Sequence, residues 1–190
     1  MKALTALALA TALLTGCTQS RMADHAGTGH TAMDHTAHMQ AMASADRRAV
    51  VSARGSQVMP FSLAATEHVF TPSASGGVQQ VVARNAGDAQ QVTLVRQHLR
   101  EIREQFMKGD FSGPSHIHGA NMPGLAQLKA AQPGQLTIAY QDIPAGAELS
   151  YTTTETNLVA ALHQWFNAQL VDHGTDARGG HSHHEDMGKR

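Results

Sequence analysis

The chain has 190 residues and carries 14 Lys plus Arg against 15 Asp plus Glu, a net charge of −1. That balance excludes bulk nucleic-acid binding, and the length suits one domain with tails. One cysteine excludes an internal disulfide, and 13 histidines nearly match the basic residues, so imidazole is the donor in unusual supply.

The N-terminus reads as an export signal. Lys2 precedes an apolar run from Ala3 to Leu14, too short to span a bilayer, and then Leu14-Thr15-Gly16-Cys17. This tetrapeptide resembles the lipobox of bacterial lipoproteins. The resemblance implies cleavage after residue 16, covalent lipid on Cys17, and a membrane anchor facing the bacterial envelope, on the periplasmic side of the outer membrane. No later segment is apolar enough to cross a membrane, so attachment rests on the lipid.

Residues 17–65 are expected to be a lipidated cysteine followed by an unstructured linker, because Gly, Ala, Thr, His and Met dominate and large apolar side chains are scarce. His68 to Thr71 and Val78 to Arg84 read as two strands joined by Pro72-Ser73-Ala74-Ser75-Gly76-Gly77. Asp88 is placed to cap a helix whose stripe is Val92, Val95, Leu99, Ile102 and Phe106. Asp110 to Gly124 reads as a Gly/Pro/His loop, and Leu125 to Ala131 as a short helix. Leu136, Ile138 and Tyr140 alternate, as do Leu149, Tyr151 and Thr153, which predicts a second hairpin across Ile143-Pro144-Ala145-Gly146. Thr153 or Thr154 is expected to cap a last helix with Leu158, Leu162, Trp165, Phe166 and Leu170 on one face. The order predicts an α+β two-layer sandwich over residues 66–174, a four-stranded antiparallel sheet covered by two helices, and a disordered His-bearing tail over residues 175–190.

Four constellations carry chemistry. In the linker, His25, His30, Met33, His35, His38 and Met39, with Met22, Asp34 and Met42 nearby, mix imidazole and thioether. Thioether suits copper(I) and imidazole suits copper(II), so such a set can hold either. This stretch resembles the Met/His-rich segments of periplasmic copper-resistance proteins. In the tail, His181, His183 and His184 form a tract that binds divalent transition metals weakly. In the expected loop, His116 and His118 sit two residues apart, so in extended backbone both point one way, and Met122 can complete a metal set. His98 and His163 lie one on each main helix. Turned toward the loop, they add metal ligands or an acid–base pair; turned inward alone, they are ordinary boundary residues. No phosphate loop, dinucleotide fingerprint, nucleophile elbow or His-Glu-x-x-His helix is present, so no catalytic residue is assigned.

Several stretches together resemble a family of small exported bacterial proteins. They include Met59-Pro60-Phe61, Val95-Arg96-Gln97-His98-Leu99, Ile117-His118-Gly119, Met122-Pro123-Gly124-Leu125 and Ala161-Leu162-His163-Gln164-Trp165-Phe166. The likeness covers residues 59–174. It implies one compact domain and draws attention to His98, His118, Met122 and His163. Some members bear the label aspartate carbamoyltransferase, but the carbamoyl-phosphate signature of that longer enzyme is absent from this chain. Three expectations follow: an envelope lipoprotein that binds or buffers a transition metal, copper first; a small-molecule enzyme or ligand-binding domain built on His98, His118 and His163; or a docking module on a tether whose protein partner the sequence does not name.

Overall fold

A computed structural model of the chain describes residues 32–181. The signal, Cys17, His25, His30, His183 and His184 lie outside the described residues.

Two hairpins build most of the sheet. Strands β1 (Thr66–Ser73) and β2 (Gly76–Ala83) pair antiparallel, as do β3 (Thr137–Ile143) and β4 (Gly146–Thr152). Antiparallel pairing of β2 with β4 joins the hairpins. A short strand, β5 (Ala177–Gly179), lies parallel to β1 at the other edge, giving the order β3-β4-β2-β1-β5. The register sets His68 opposite Val81, Phe70 opposite Gln79 and Gln79 opposite Leu149. Directly opposed residues share a face, so His68, Phe70, Gln79, Val81, Leu149 and Tyr151 all point to one side of the sheet.

Five helices are described: α1 (Ala32–Val58), α2 (Ala89–Met107), α3 (Ser112–His118), α4 (Leu125–Ala130) and α5 (Thr156–His173). Asp88 caps α2 as expected, accepting from the Gln91 amide at 3.1 Å. The cap of α5 differs from expectation: Glu155 holds that position without a side-chain bond, and Thr153 Oγ1 accepts from the Glu155 amide instead. The core forms where Val95, Leu99 and Phe106 of α2 and Leu162, Trp165 and Phe166 of α5 meet Phe70, Val81, Leu149 and Tyr151. Trp165 makes edge contacts with Phe106, Phe111 and Tyr151. Gly124 lets α4 meet α5 closely: its φ is +76°, and a Cβ there would overlap the Ala161 carbonyl.

The expected fold is therefore corrected. The class is α+β, but the sheet is mixed and five-stranded, and five helices replace two. The fifth strand escapes a pattern search because Ala-Arg-Gly has no alternation, yet the chain beyond α5 returns beside β1, and the Gly180 amide donates to Phe70 O at 2.9 Å. The linker expectation also changes. Residues 32–58 are helical, since Ala, Met, Gln and Arg favour a helix without needing an apolar face. The helix docks through Arg47, Val51, Gly55 and Val58, spaced by four and three residues; residues 39–50 are exposed, with the Arg47 side chain half covered by its bond to Asp172. The expected loop at 110–124 contains α3 because Gly113-Pro114 falls in its first turn, where a missing amide hydrogen costs nothing.

Candidate functional site

Helix α5 carries an apolar stripe at Leu158, Ala161, Leu162, Trp165 and Phe166. The same stripe continues through Gln169, Asp172 and His173, all buried. Polar side chains held inside by helical periodicity need partners, and these have them. Asp172 accepts a bidentate pair from Arg47 of α1, Nε at 2.5 Å and Nη2 at 2.6 Å, and a third bond from His118 Nδ1–H at 2.8 Å. The side chains of His118 and Asp172 are 1% and 4% exposed. Arg47 Nη2 also donates to the His118 carbonyl at 3.3 Å, so one guanidinium ties α1, α3 and α5 together. His173 Nε2 lies 3.1 Å from Gln169 Oε1, to which it donates.

Three imidazoles stack inward from this pair. The His173 ring stands edge-on to His118 with centroids 5.0 Å apart, and lies nearly parallel to His68 at 5.1 Å. Phe61 bridges onward from His68 at 6.0 Å to His98 at 5.6 Å. His68, His98, His118 and His173 line a cavity of about 170 Å³ together with Gln79, Gln169 and Trp165. Val58 at the end of α1, the following Met59, and Gly113 and Pro114 of α3 also line it. Tyr151 Oη–H donates to Gln79 Oε1 at 2.8 Å and fixes that carboxamide.

The electrostatics keep the imidazoles of the cluster uncharged. Burial, with neighbouring His173 adding to it, holds His68 down at about 3; its Nδ1 is sealed without a partner. Burial likewise lowers His173 to about 4, and lowers His98. At His118 burial outweighs the opposing hydrogen bond and charge of Asp172, so the ring titrates below the usual histidine range. Burial pushes Asp172 upward, but Arg47 and His118 together overcome it, and the carboxyl stays below its ordinary range. The resting state is an ionised Asp172 facing Arg47 and a neutral His118 whose Nδ1 carries the proton.

Of the residues expected to form a metal set, two meet. His98 and His118 line the same cavity. His116 is exposed on α3, 3.3 Å from Gln57 Oε1, because in a helix residues two apart point to different sides. Met122 is buried in the apolar core. His163 Nε2–H is shared between Ser73 O at 3.0 Å and Gly76 O at 2.9 Å, so it clamps the β1–β2 turn. Helix α3 thus separates His116, on its exposed side, from His118 and Met122, and among the described residues no group of three or more His, Cys, Asp or Glu is arranged to hold a metal ion. Met33, His35 and His38 fall within α1, Met39 is exposed on it, and His181 is exposed. His68, His173 and Asp172 also carry the site; His173 stands out in sequence only as a cation suited to a helix C-terminus, where it is instead buried and neutral, and His68 and Asp172 do not stand out at all. The signal available was positional: His68 alternates with Phe70 on a strand, and Asp172 and His173 continue the α5 stripe.

No protein-family model, no curated protein and no solved structure matches the chain.

Proposed function

We propose that this chain is an exported, Cys17-anchored protein whose histidine cavity takes up a small ligand and moves a proton on it, with His118 as general base. The carrying observation is the 2.8 Å bond from His118 Nδ1 to buried, ionised Asp172 at the cavity wall. A carboxylate on Nδ1 fixes the tautomer and ring direction, leaves Nε2, beside Gln169, as the unprotonated acceptor, and stabilises the imidazolium that forms. Arg47 keeps Asp172 ionised for that role. The described wall offers no hydroxyl, thiol or amine side chain, so proton transfer fits better than covalent capture.

The test is solvent-deuterium exchange into a panel of compact carbon and nitrogen acids, followed by NMR, for the intact protein, His118→Gln and Asp172→Asn. Catalysed exchange is expected from the parent, with at least a 100-fold loss in either variant while both keep a folded melt. Exchange that survives either change, or a panel on which the parent has no effect, sinks the proposal.

A second function is favoured by Met39 and Met42, thioethers 56% and 51% exposed and three residues apart on α1. Exposed thioethers in a helix that also holds Met33, His35 and His38 suit capture of copper(I). Competition with a chromogenic copper(I) chelator is expected to show binding that falls at least tenfold in Met39→Leu/Met42→Leu. An unchanged affinity removes the role of this helix.

A further inference from the structure

We infer that the cavity selects a flat, uncharged ring bearing an N–H beside a C=O, a lactam or cyclic-urea heterocycle. The inference rests on reading the cavity as a ligand site; it does not depend on His118 moving a proton.

Both kinds of hydrogen-bonding atom remain on the cavity wall after the internal bonds are counted. Gln79 uses Oε1 to accept from Tyr151, so it keeps its NH₂ as a donor. His173 donates through Nε2 to Gln169, so it keeps Nδ1 as an acceptor. Gln169 and His118 also bond to each other, which occupies the Gln169 NH₂ and His118 Nε2. Gln79 and His173 both line the cavity, and the Trp165 indole N–H beside them is buried without a partner. The donor at Gln79 is fixed because burial keeps the Tyr151 phenol protonated. A ligand with only acceptors, or only donors, leaves part of this set unpaired inside the protein, which is what makes such sites discriminate.

Size, shape and charge narrow the class. A volume of about 170 Å³ is close to the roughly 150 Å³ of an apolar cavity that takes up benzene, so one six-membered ring with small substituents fits. Trp165, Phe106 and the stacked His68 and His173 rings offer flat faces. The wall holds no Lys or Arg, and its buried histidines are neutral, so an anion would enter without a counter-charge. Its one carboxylate, Glu101, is exposed and bonded to Gln97, which leaves a cation without a buried partner.

Four probes test this on the full chain: 2-pyridone, N-methyl-2-pyridone, benzene and benzoate. Trp165 is the only tryptophan, so its indole resonance reports cavity occupancy without assignment of the rest, and calorimetry gives affinities. The expected ranking is 2-pyridone at least tenfold above both N-methyl-2-pyridone and benzene, with benzoate not binding at millimolar concentration. Gln79→Leu should bring 2-pyridone down to the level of benzene. Benzene equal to 2-pyridone, preference for benzoate, or no movement of the Trp165 resonance with any probe overturns the inference. The ranking is read from the unmutated protein, so a variant that misfolds does not rescue it. A correct ranking without proton exchange would reject the catalytic proposal alone.

Discussion

At the scale of single residues, the cavity depends on imidazoles that stay neutral. His68 and His173 titrate at about 3 and about 4 when folded, against 6.5 when unfolded. Between pH 6.5 and 4 the unfolded chain therefore binds more protons than the folded one, so stability falls as the solution is acidified through that window. At about 1.4 kcal/mol per pH step for each ring, the two together should cost roughly 2–4 kcal/mol between pH 7 and pH 5. Urea unfolding at the two pH values measures it, and His68→Leu should shrink the difference by about half. Asp172 adds to the same trend only at lower pH, because its folded value lies beneath the ordinary carboxylate range. Arg47→Met leaves a buried carboxylate with His118 as its one remaining partner. The expected cost is about 2–4 kcal/mol, together with a rise in the Asp172 pKa that carboxyl-carbon NMR can follow.

At the scale of elements, what sequence reveals depends on whether an element buries a periodic face. Helices α2 and α5 and both hairpins were legible because Val92, Val95 and Leu99, or Leu158, Leu162 and Trp165, repeat where a one-sided element needs them. Helix α1 was not, because residues 39–46 are exposed and its docking stripe is four residues, one of them Arg47. Helix α3 was hidden by Gly113-Pro114, which read as a break although Pro is harmless in a first turn. The site was half legible. His98 and His118 were singled out, while His68 and His173 passed as ordinary members of a strand and a helix end, and only the register and the α5 stripe bring them together. Two element-level outcomes follow. Gly124→Ala forces a Cβ into the Ala161 carbonyl at positive φ and should destabilise by about 2–4 kcal/mol in chemical unfolding. Arg47→Met should also free the docked half of α1, so that amides over 51–58 exchange at least tenfold faster while those in α2 stay protected.

At the scale of the whole molecule, the helices and the polar cluster share one side of a mixed sheet, and the chain closes on itself at β5. Ending the chain before Ala177 removes the strand that flanks His68, and should lower Tm by about 5–10 °C and loosen probe binding in the cavity. Scanning calorimetry with and without 2-pyridone checks both. Among the described residues no helix is long and apolar enough to cross a membrane, so the proposed envelope location rests on the lipobox alone. The bond between Arg47 and Asp172 joins residues 125 positions apart. At a synthesis rate of about 5–20 residues per second, the arginine leaves the ribosome on the order of ten seconds before its carboxylate exists. Until then α1 lacks the ion pair that ties it to α5, and His118 lacks its orienting carboxylate. On the proposed mechanism, a chain released early or clipped behind Val171 therefore has no oriented base, whatever else of it has folded.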